Sequence, residues 1–316
     1  MSSQPVRSLR RIALAALFVF CTLAARPVGA VASAGEKTNT RWDSAKAEIE
    51  KRIAASGAEV SLAFRTLDGK QEFYLRPDES YHAASTMKLG VMVELFHQWK
   101  QRKLKFEDAL PVRNEFASLV DGSPFQLDSA DDSDPDVYKK IGGTMTVAEL
   151  CEHMITRSSN LATNLLMIKL GVANIRRAMS DAGAPGLDIK RPLEDGKAYE
   201  KGINNTATAR ALLVLLERIA RLKAVDRESS VKMLEVLKRQ TFNEAIPAGL
   251  PHGIVVAHKT GEITRIHHDA AIVYAPRPFI LVLLVRGIED RDKSGALMAG
   301  LTSVLYDAVE PARGTR

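Results

Sequence analysis

The sequence predicts a mixed α/β fold of the α+β type, with a mainly antiparallel sheet flanked by terminal helices and interrupted by an all-helical insertion. Two observations carry this. Strand-like segments lie near both ends of the chain, and helix-like segments fill the middle. A third is that one hairpin is readable directly. Glu59 to Leu67 forms one arm, Asp68-Gly69 is a turn signal, and Gln71 to Leu75 returns.

The remaining elements follow in order. Trp42 to Ala55 mixes charged and apolar residues at helical spacing and stops at Gly57. Thr86 to Lys100 is predicted as one helix, and Thr146-Val-Ala-Glu149 is a capping-box pattern that opens another. Leu161 to Leu170, Thr206 to Leu222 and Glu228 to Arg239 complete the helical insertion, which spans roughly residues 86–240. Strands return at Ile254 to Lys259, Asp269 to Tyr274 and Phe279 to Val285, and Asp292 to Val309 reads as a closing helix. The sheet needs strands from both ends of the chain, so residues 31–316 are expected to form one domain.

The first 30 residues have a different grammar. Arg7, Arg10 and Arg11 precede an apolar run from Ile12 to Ala25, and Pro27-Val28-Gly29-Ala30 is a small-residue cleavage pattern. The run is too short for the ~20 residues that a membrane-spanning helix needs. A cleaved signal peptide over residues 1–30 is expected, hence export to a periplasmic or extracellular space with no stable membrane anchor. Cys21 follows an apolar stretch, so lipidation stands as the alternative, although Phe20 occupies the place of a small residue. Removing this segment takes four arginines and no acid, and the formal charge falls from +6 to +2. A nucleic-acid partner loses its main support. Cys151 then remains alone, so no internal disulfide forms and a hydrophobic core must hold the fold.

Three short patterns could carry chemistry. Ser85-Thr-Met-Lys88 lies where a linking stretch turns into a helix, and positions i and i+3 share a helix face. A neutral lysine amine there could take the serine proton. A second Ser-x-x-Lys, Ser229 to Lys232, reads as a helix cap with a surface lysine. Ser158-Ser159-Asn160 lies between two helices, where a tight turn can aim short polar side chains at one point. His258-Lys259-Thr260-Gly261-Glu262 ends a strand, and a glycine there lets a ligand lie along the edge.

Occurring in this order, the three patterns resemble the signature set of penicillin-recognising serine enzymes, class A β-lactamases in particular. Thr241 to Pro251 and Asn204 to Ala209 look like the corresponding class A stretches, and the resemblance extends over the mature chain. It implies a serine β-lactamase/transpeptidase-like fold and hydrolysis of a cyclic amide through an acyl-enzyme on Ser85. By resemblance, Lys88 activates Ser85, and Ser158 passes a proton to the leaving nitrogen. Asn160 holds the substrate side-chain amide, and Lys259 and Thr260 engage its carboxylate. The backbone N–H groups of Ser85 and Glu262, beside Gly261, form the oxyanion hole. The substrate is expected to be a β-lactam, the protein a monomer, and no metal or other cofactor is required.

The sequence departs from class A in two places. The loop Arg191 to Asn205 offers Glu194 as the base for deacylation, with Glu200 as a weaker alternative. However, Ala198 stands four residues after Glu194, where an asparagine is expected. Slow hydrolysis of the acyl-enzyme would follow. The usual positions of an extra arginine near the substrate carboxylate hold Pro247 and Asp269, and Arg265 is the candidate replacement. Two rival functions share the motifs: a D-alanyl-D-alanine peptidase or related peptidoglycan hydrolase, and a penicillin-binding protein that deacylates slowly.

Other site readings are weaker. Asp128 to Asp136 is acidic but lacks the glycine and closing glutamate of a calcium-hand loop, so a solvated loop is expected. His267-His268-Asp269 cannot chelate together, because neighbours on a strand point to opposite faces. No glycine-rich nucleotide loop is present.

Overall fold

The computed structural model describes residues 34–310; the expected signal peptide and the possible lipidation at Cys21 lie outside them. Five strands build the main sheet: β1 (Glu59–Thr66), β2 (Glu72–Leu75), β3 (Val255–Ile263), β4 (Ile266–Tyr274) and β5 (Phe279–Arg286). Their spatial order is β2-β1-β5-β4-β3, with every neighbouring pair antiparallel.

The alternation of a β-strand shows most clearly in β5, whose sequence Phe-Ile-Leu-Val-Leu-Leu-Val is apolar throughout. Phe279, Leu281, Leu283 and Val285 pack on one face with Ile49, Leu301 and Leu305. Those partners come from the terminal helices α1 (Ala34–Ser56) and α9 (Arg291–Val309). Ile280, Val282 and Leu284 pack on the other face into the core of the helical insertion. A central strand covered on both faces needs no polar side, which explains the unbroken apolar run.

The insertion comprises α2 (Lys88–Lys100), α3 (Val147–Thr156), α4 (Asn160–Leu170), α5 (Val172–Asp181), the short α6 (Gly196–Glu200), α7 (Ala209–Ala220) and α8 (Arg227–Leu237). The capping box at Thr146 is formed. Its side chain accepts from the Glu149 N–H, and Glu149 reaches back to the Thr146 N–H. Among the described residues, no helix is long and apolar enough to cross a membrane.

Four local readings change. The helix expected from Thr86 begins as a 3-10 turn, Ala84–Met87, and becomes α-helical at Lys88. Thr206–Ala207 is not helical but pairs with Tyr81–His82, stitching the chain before Ser85 to the end of the Arg191–Asn205 loop. Asn205 O also accepts from the Ala83 N–H at 2.9 Å. The strand carrying Lys259 does not stop at the motif. It runs through Thr260, Gly261 and Glu262 to Ile263 and turns into β4. Finally, Ser229 does not cap α8. Asp226 does, and Ser229 is buried inside the first turn.

Candidate active site

The 3-10 turn decides the first relationship in the site. With three residues per turn, positions i and i+3 eclipse, so Ser85 and Lys88 stand one above the other. Lys88 Nζ lies 2.9 Å from Ser85 Oγ. The same nitrogen lies 2.6 Å from Ser158 O, 2.8 Å from Asn160 Oδ1 and 3.2 Å from Ser158 Oγ. Two of these neighbours, the Ser158 carbonyl and the Asn160 amide oxygen, can only accept. A neutral amine has two N–H donors and one lone pair. The two acceptors therefore use both donors and leave the lone pair for the serine hydroxyl. Burial of the whole side chain lowers the Lys88 pKa to about 7, against the pull of Asp132 and Glu194. A substantial neutral fraction then exists near neutrality.

Ser158 sits in the turn between α3 and α4 with φ +60°, a costly conformation for a residue with a Cβ. There its hydroxyl lies between two lysines, with Lys259 Nζ donating to Oγ at 2.9 Å. Lys259 is fully buried and also donates to Thr260 O. Its pKa is held well below the ordinary lysine range, first by burial and then by the neighbouring Lys88 charge.

Gly261 explains how the strand approaches the serine. A Cβ built there would stand 3.0 Å from the backbone nitrogens of both Ser85 and Thr86. Backbone yields less readily than a side-chain tip, so any larger residue would have to push the strand and the serine turn apart by a few tenths of an ångström. Ser85, Ser158, Asn160, Thr260, Gly261 and Glu262 together border a cavity of about 420 Å³. A second cavity, of about 410 Å³ and more apolar, also opens at Ser85; Leu193, Glu194, Tyr199 and Ile263 line it.

Glu194 reaches this centre through Asn160. Asn160 Nδ2 donates to Glu194 Oε1 at 2.9 Å, while the Asp128 N–H approaches the other carboxylate oxygen at 3.3 Å. One amide thus links Lys88 to Glu194, with its oxygen facing the donor and its nitrogen facing the acceptor. Burial raises the Glu194 pKa, and the Asn160 hydrogen bond opposes the rise. The loop is held beside it by two buried asparagines. Asn164, one helical turn after Asn160, accepts from the Leu193 N–H and donates to its carbonyl. Asn205 clamps the loop neck through Lys190 N, Arg191 N and Arg191 O. Glu194 has φ +61°. Four of the seven non-glycine residues with positive φ among the described residues border the two cavities: Ala84, Ser158, Glu194 and Arg265. Strain concentrated in this way marks a site over-determined by its surroundings.

The other candidates are placed as follows. Glu200 is exposed at the end of α6, away from both cavities. Ala198 is completely buried in α6 below the Asp195 cap and offers no polar side chain. Arg265 borders the first cavity from the β3–β4 turn and donates to Gly287 O at 3.2 Å. Pro247 lies in a short 3-10 turn, and the buried Asp269 carboxylate serves His258 and the Ile246 N–H. His267 faces Ser294 of α9, whereas His268 bonds to His82 O on the opposite side.

Three contributions escaped the sequence reading. The Asp128–Asp136 run is not simply a solvated loop, because Asp132 and Asp134 are buried. Asp132 accepts from the N–H groups of Asn160 and Leu161 at 2.9 and 3.0 Å, at the positive end of α4. A spread of acids gave no hint of which one turns inward. Asn164 lay inside an apolar helix, where a buried amide was the available signal. Arg291, the first residue of α9, borders the cavity beside Glu262 and Glu244, and nothing in its local sequence marks it.

A family model described as the β-lactamase enzyme family matches residues 44–309. A β-lactamase from Bacillus licheniformis is 28% identical over 287 residues, covering 88% of this chain and 86% of that protein. An ancestral class A β-lactamase structure is similar with a TM-score of 0.70 at 26% identity, covering 84% of this chain and 99% of that one. A mutant of PBP-A, solved as an acyl-enzyme complex with penicillin G, is similar with a TM-score of 0.72 at 24% identity over 84% of this chain and 96% of that one. With most of its length matched by the family model, this chain belongs to the β-lactamase enzyme family.

Proposed function

We propose that the protein is a serine hydrolase that opens β-lactam amides through an acyl-enzyme on Ser85. The observation that carries this reading is the pair of acceptors around Lys88 Nζ, which leaves its lone pair for the Ser85 hydroxyl 2.9 Å away. Ser85 Oγ attacks the lactam carbonyl and its proton passes to Lys88. The developing oxyanion takes the N–H groups of Ser85 and Glu262. Such donors act on charge that exists only in the transition state. The proton then travels through Ser158, which touches both lysines, to the leaving nitrogen. The ring opens and Ser85 carries an ester. Thr260, on the cavity surface next to Lys259, receives the substrate carboxylate. That negative charge raises the Lys259 affinity for a proton and restores its full charge.

Hydrolysis of the ester is assigned to a water activated by Glu194. Ala198 favours slow deacylation, since no amide from that position can help hold the water. A chain that acylates readily and hydrolyses slowly is therefore the second reading of the same site. We further propose that residues 1–30 direct export, that residues 31–316 act as one domain, and that the protein works as a monomer. The test is intact-protein mass spectrometry over time after adding benzylpenicillin. A transient adduct that disappears supports hydrolysis, a persistent one supports the slow reading, and no adduct overturns both.

A further inference from the structure

Glu262 is the residue after Gly261, and it borders both cavities that meet at Ser85. Its partner is Arg291, whose Nε lies 3.1 Å from Glu262 Oε2. The guanidinium is shared, because its other end pairs with the Glu244 carboxylate. It also lies over the Phe242 ring, 5.9 Å from the centroid. One cation between two carboxylates leaves this trio with a net negative charge. The remaining charged groups bordering the first cavity are Asp131, Glu289 and Arg265. Four carboxylates thus face two guanidiniums. Lys259 adds little before substrate arrives, since burial disfavours its charged form.

This imbalance has a direction. The first cavity includes Thr260 and Ser158, the side that receives the ring carboxylate. The second adds Leu193 and Tyr199 and is the more apolar of the two, although Glu194, Asp195 and Arg191 also border it and Glu262 is common to both. In a cephem, the substituent at C3 is adjacent to the ring carboxylate and projects toward the charged cavity. A cation there meets a negative rim, while a second anion is repelled.

We propose that the Glu262 carboxylate, oriented by Arg291, determines specificity by favouring β-lactams with a cationic substituent beside the ring carboxylate. This rests on the β-lactam hydrolase reading above. Two cephems with the same thienylacetyl side chain isolate the effect: cephaloridine, with a pyridinium at C3, and cephalothin, with a neutral acetoxymethyl. The readout is the ratio of their kcat/KM values, which cancels any general loss of activity. Glu262→Gln should lower the cephaloridine-to-cephalothin ratio by about 2- to 5-fold, the size of one exposed charge interaction. Glu289 is exposed, so Glu289→Gln is the variant that cannot fail through folding, and it should lower the ratio in the same direction. Raising the salt from about 10 mM to about 500 mM should erode the wild-type preference. A ratio unchanged by both substitutions and by salt overturns the proposal while leaving the hydrolase intact. If the wild-type chain opens neither cephem but turns over benzylpenicillin, the specificity proposal alone fails; if it forms no adduct with benzylpenicillin either, the hydrolase reading fails with it.

Discussion

Lys88 Nζ and Ser85 Oγ stand 2.9 Å apart because the chain enters α2 through a 3-10 turn that eclipses the two residues. Among the described residues the lysine has no counter-ion in direct contact; its other neighbours are a carbonyl, an amide oxygen and a hydroxyl. Its pKa of about 7 follows from that burial. The neutral, proton-accepting form grows as pH rises, so acylation should climb through an inflection near 7. Lys88→Met should slow acylation by about 10²- to 10⁴-fold, the usual range for losing a general base. Stopped-flow acylation by benzylpenicillin measures both. A rate that is flat from about pH 6 to about pH 8 would remove Lys88 from the proton-accepting role.

Gly261 gives a second expectation that separates geometry from charge. An added methyl would meet the backbone nitrogens of Ser85 and Thr86 at 3.0 Å, the first of which is proposed above as an oxyanion donor. Gly261→Ala should therefore lower the acylation rate by about 10²- to 10³-fold, comparable to losing one oxyanion donor. Circular dichroism should show an unchanged fold. Wild-type acylation in the variant would mean that the strand is free to move away from the serine.

The sheet and most helices were legible because both periods are strong in this sequence. The apolar run of β5 and the capping box at Thr146 needed no tertiary information. Ser85, Lys88, Ser158, Asn160 and Gly261 were singled out by their order along the chain; Ser85, Ser158, Asn160 and Gly261 border one cavity, and the buried Lys88 reaches Ser85 and Asn160 from outside its lining. What escaped depended on contacts between distant segments. Thr206–Ala207 looks helical until Tyr81–His82 is available to pair with it. Asp132 looks like any acid of its loop until the start of α4 turns its N–H groups toward it. Arg291 enters the site only because α9 begins beside β3, a juxtaposition set by the whole sheet.

Glu194 is the least conventional part of the site and gives the third expectation. It has a left-handed backbone, an Asn160 hydrogen bond and a pKa raised by burial. A raised carboxylate pKa makes a stronger base toward water. Glu194→Gln keeps the shape and the contact to Asn160 but removes the basicity. The acyl-enzyme should then persist, while its rate of formation stays within about a factor of ten of wild type. Time-resolved mass spectrometry distinguishes the two steps. Unchanged turnover would show that another group activates the water.

His153 and Asp134 give the last expectation, which concerns stability. Asp134 is buried, and its Oδ2 lies 2.5 Å from His153 Nδ1; the Arg157 guanidinium is also near, 3.7 Å from Oδ1. The hydrogen bond to Asp134 is the main reason the His153 pKa is raised above 6.5, against the effect of burial. A histidine with a raised folded-state pKa binds its proton more tightly in the native chain. Its stabilising contribution is fully present below the unfolded value of 6.5 and disappears as pH rises through the higher folded value. His153→Gln should therefore lower the Tm more at about pH 5.5 than at about pH 9. The effect should also reach the site, because the His153 carbonyl accepts from the N–H groups of Arg157 and Ser159 on either side of the strained Ser158. Calorimetry across that pH range is the measurement. An equal Tm difference at both ends would show that the pair contributes packing but no proton-linked stability.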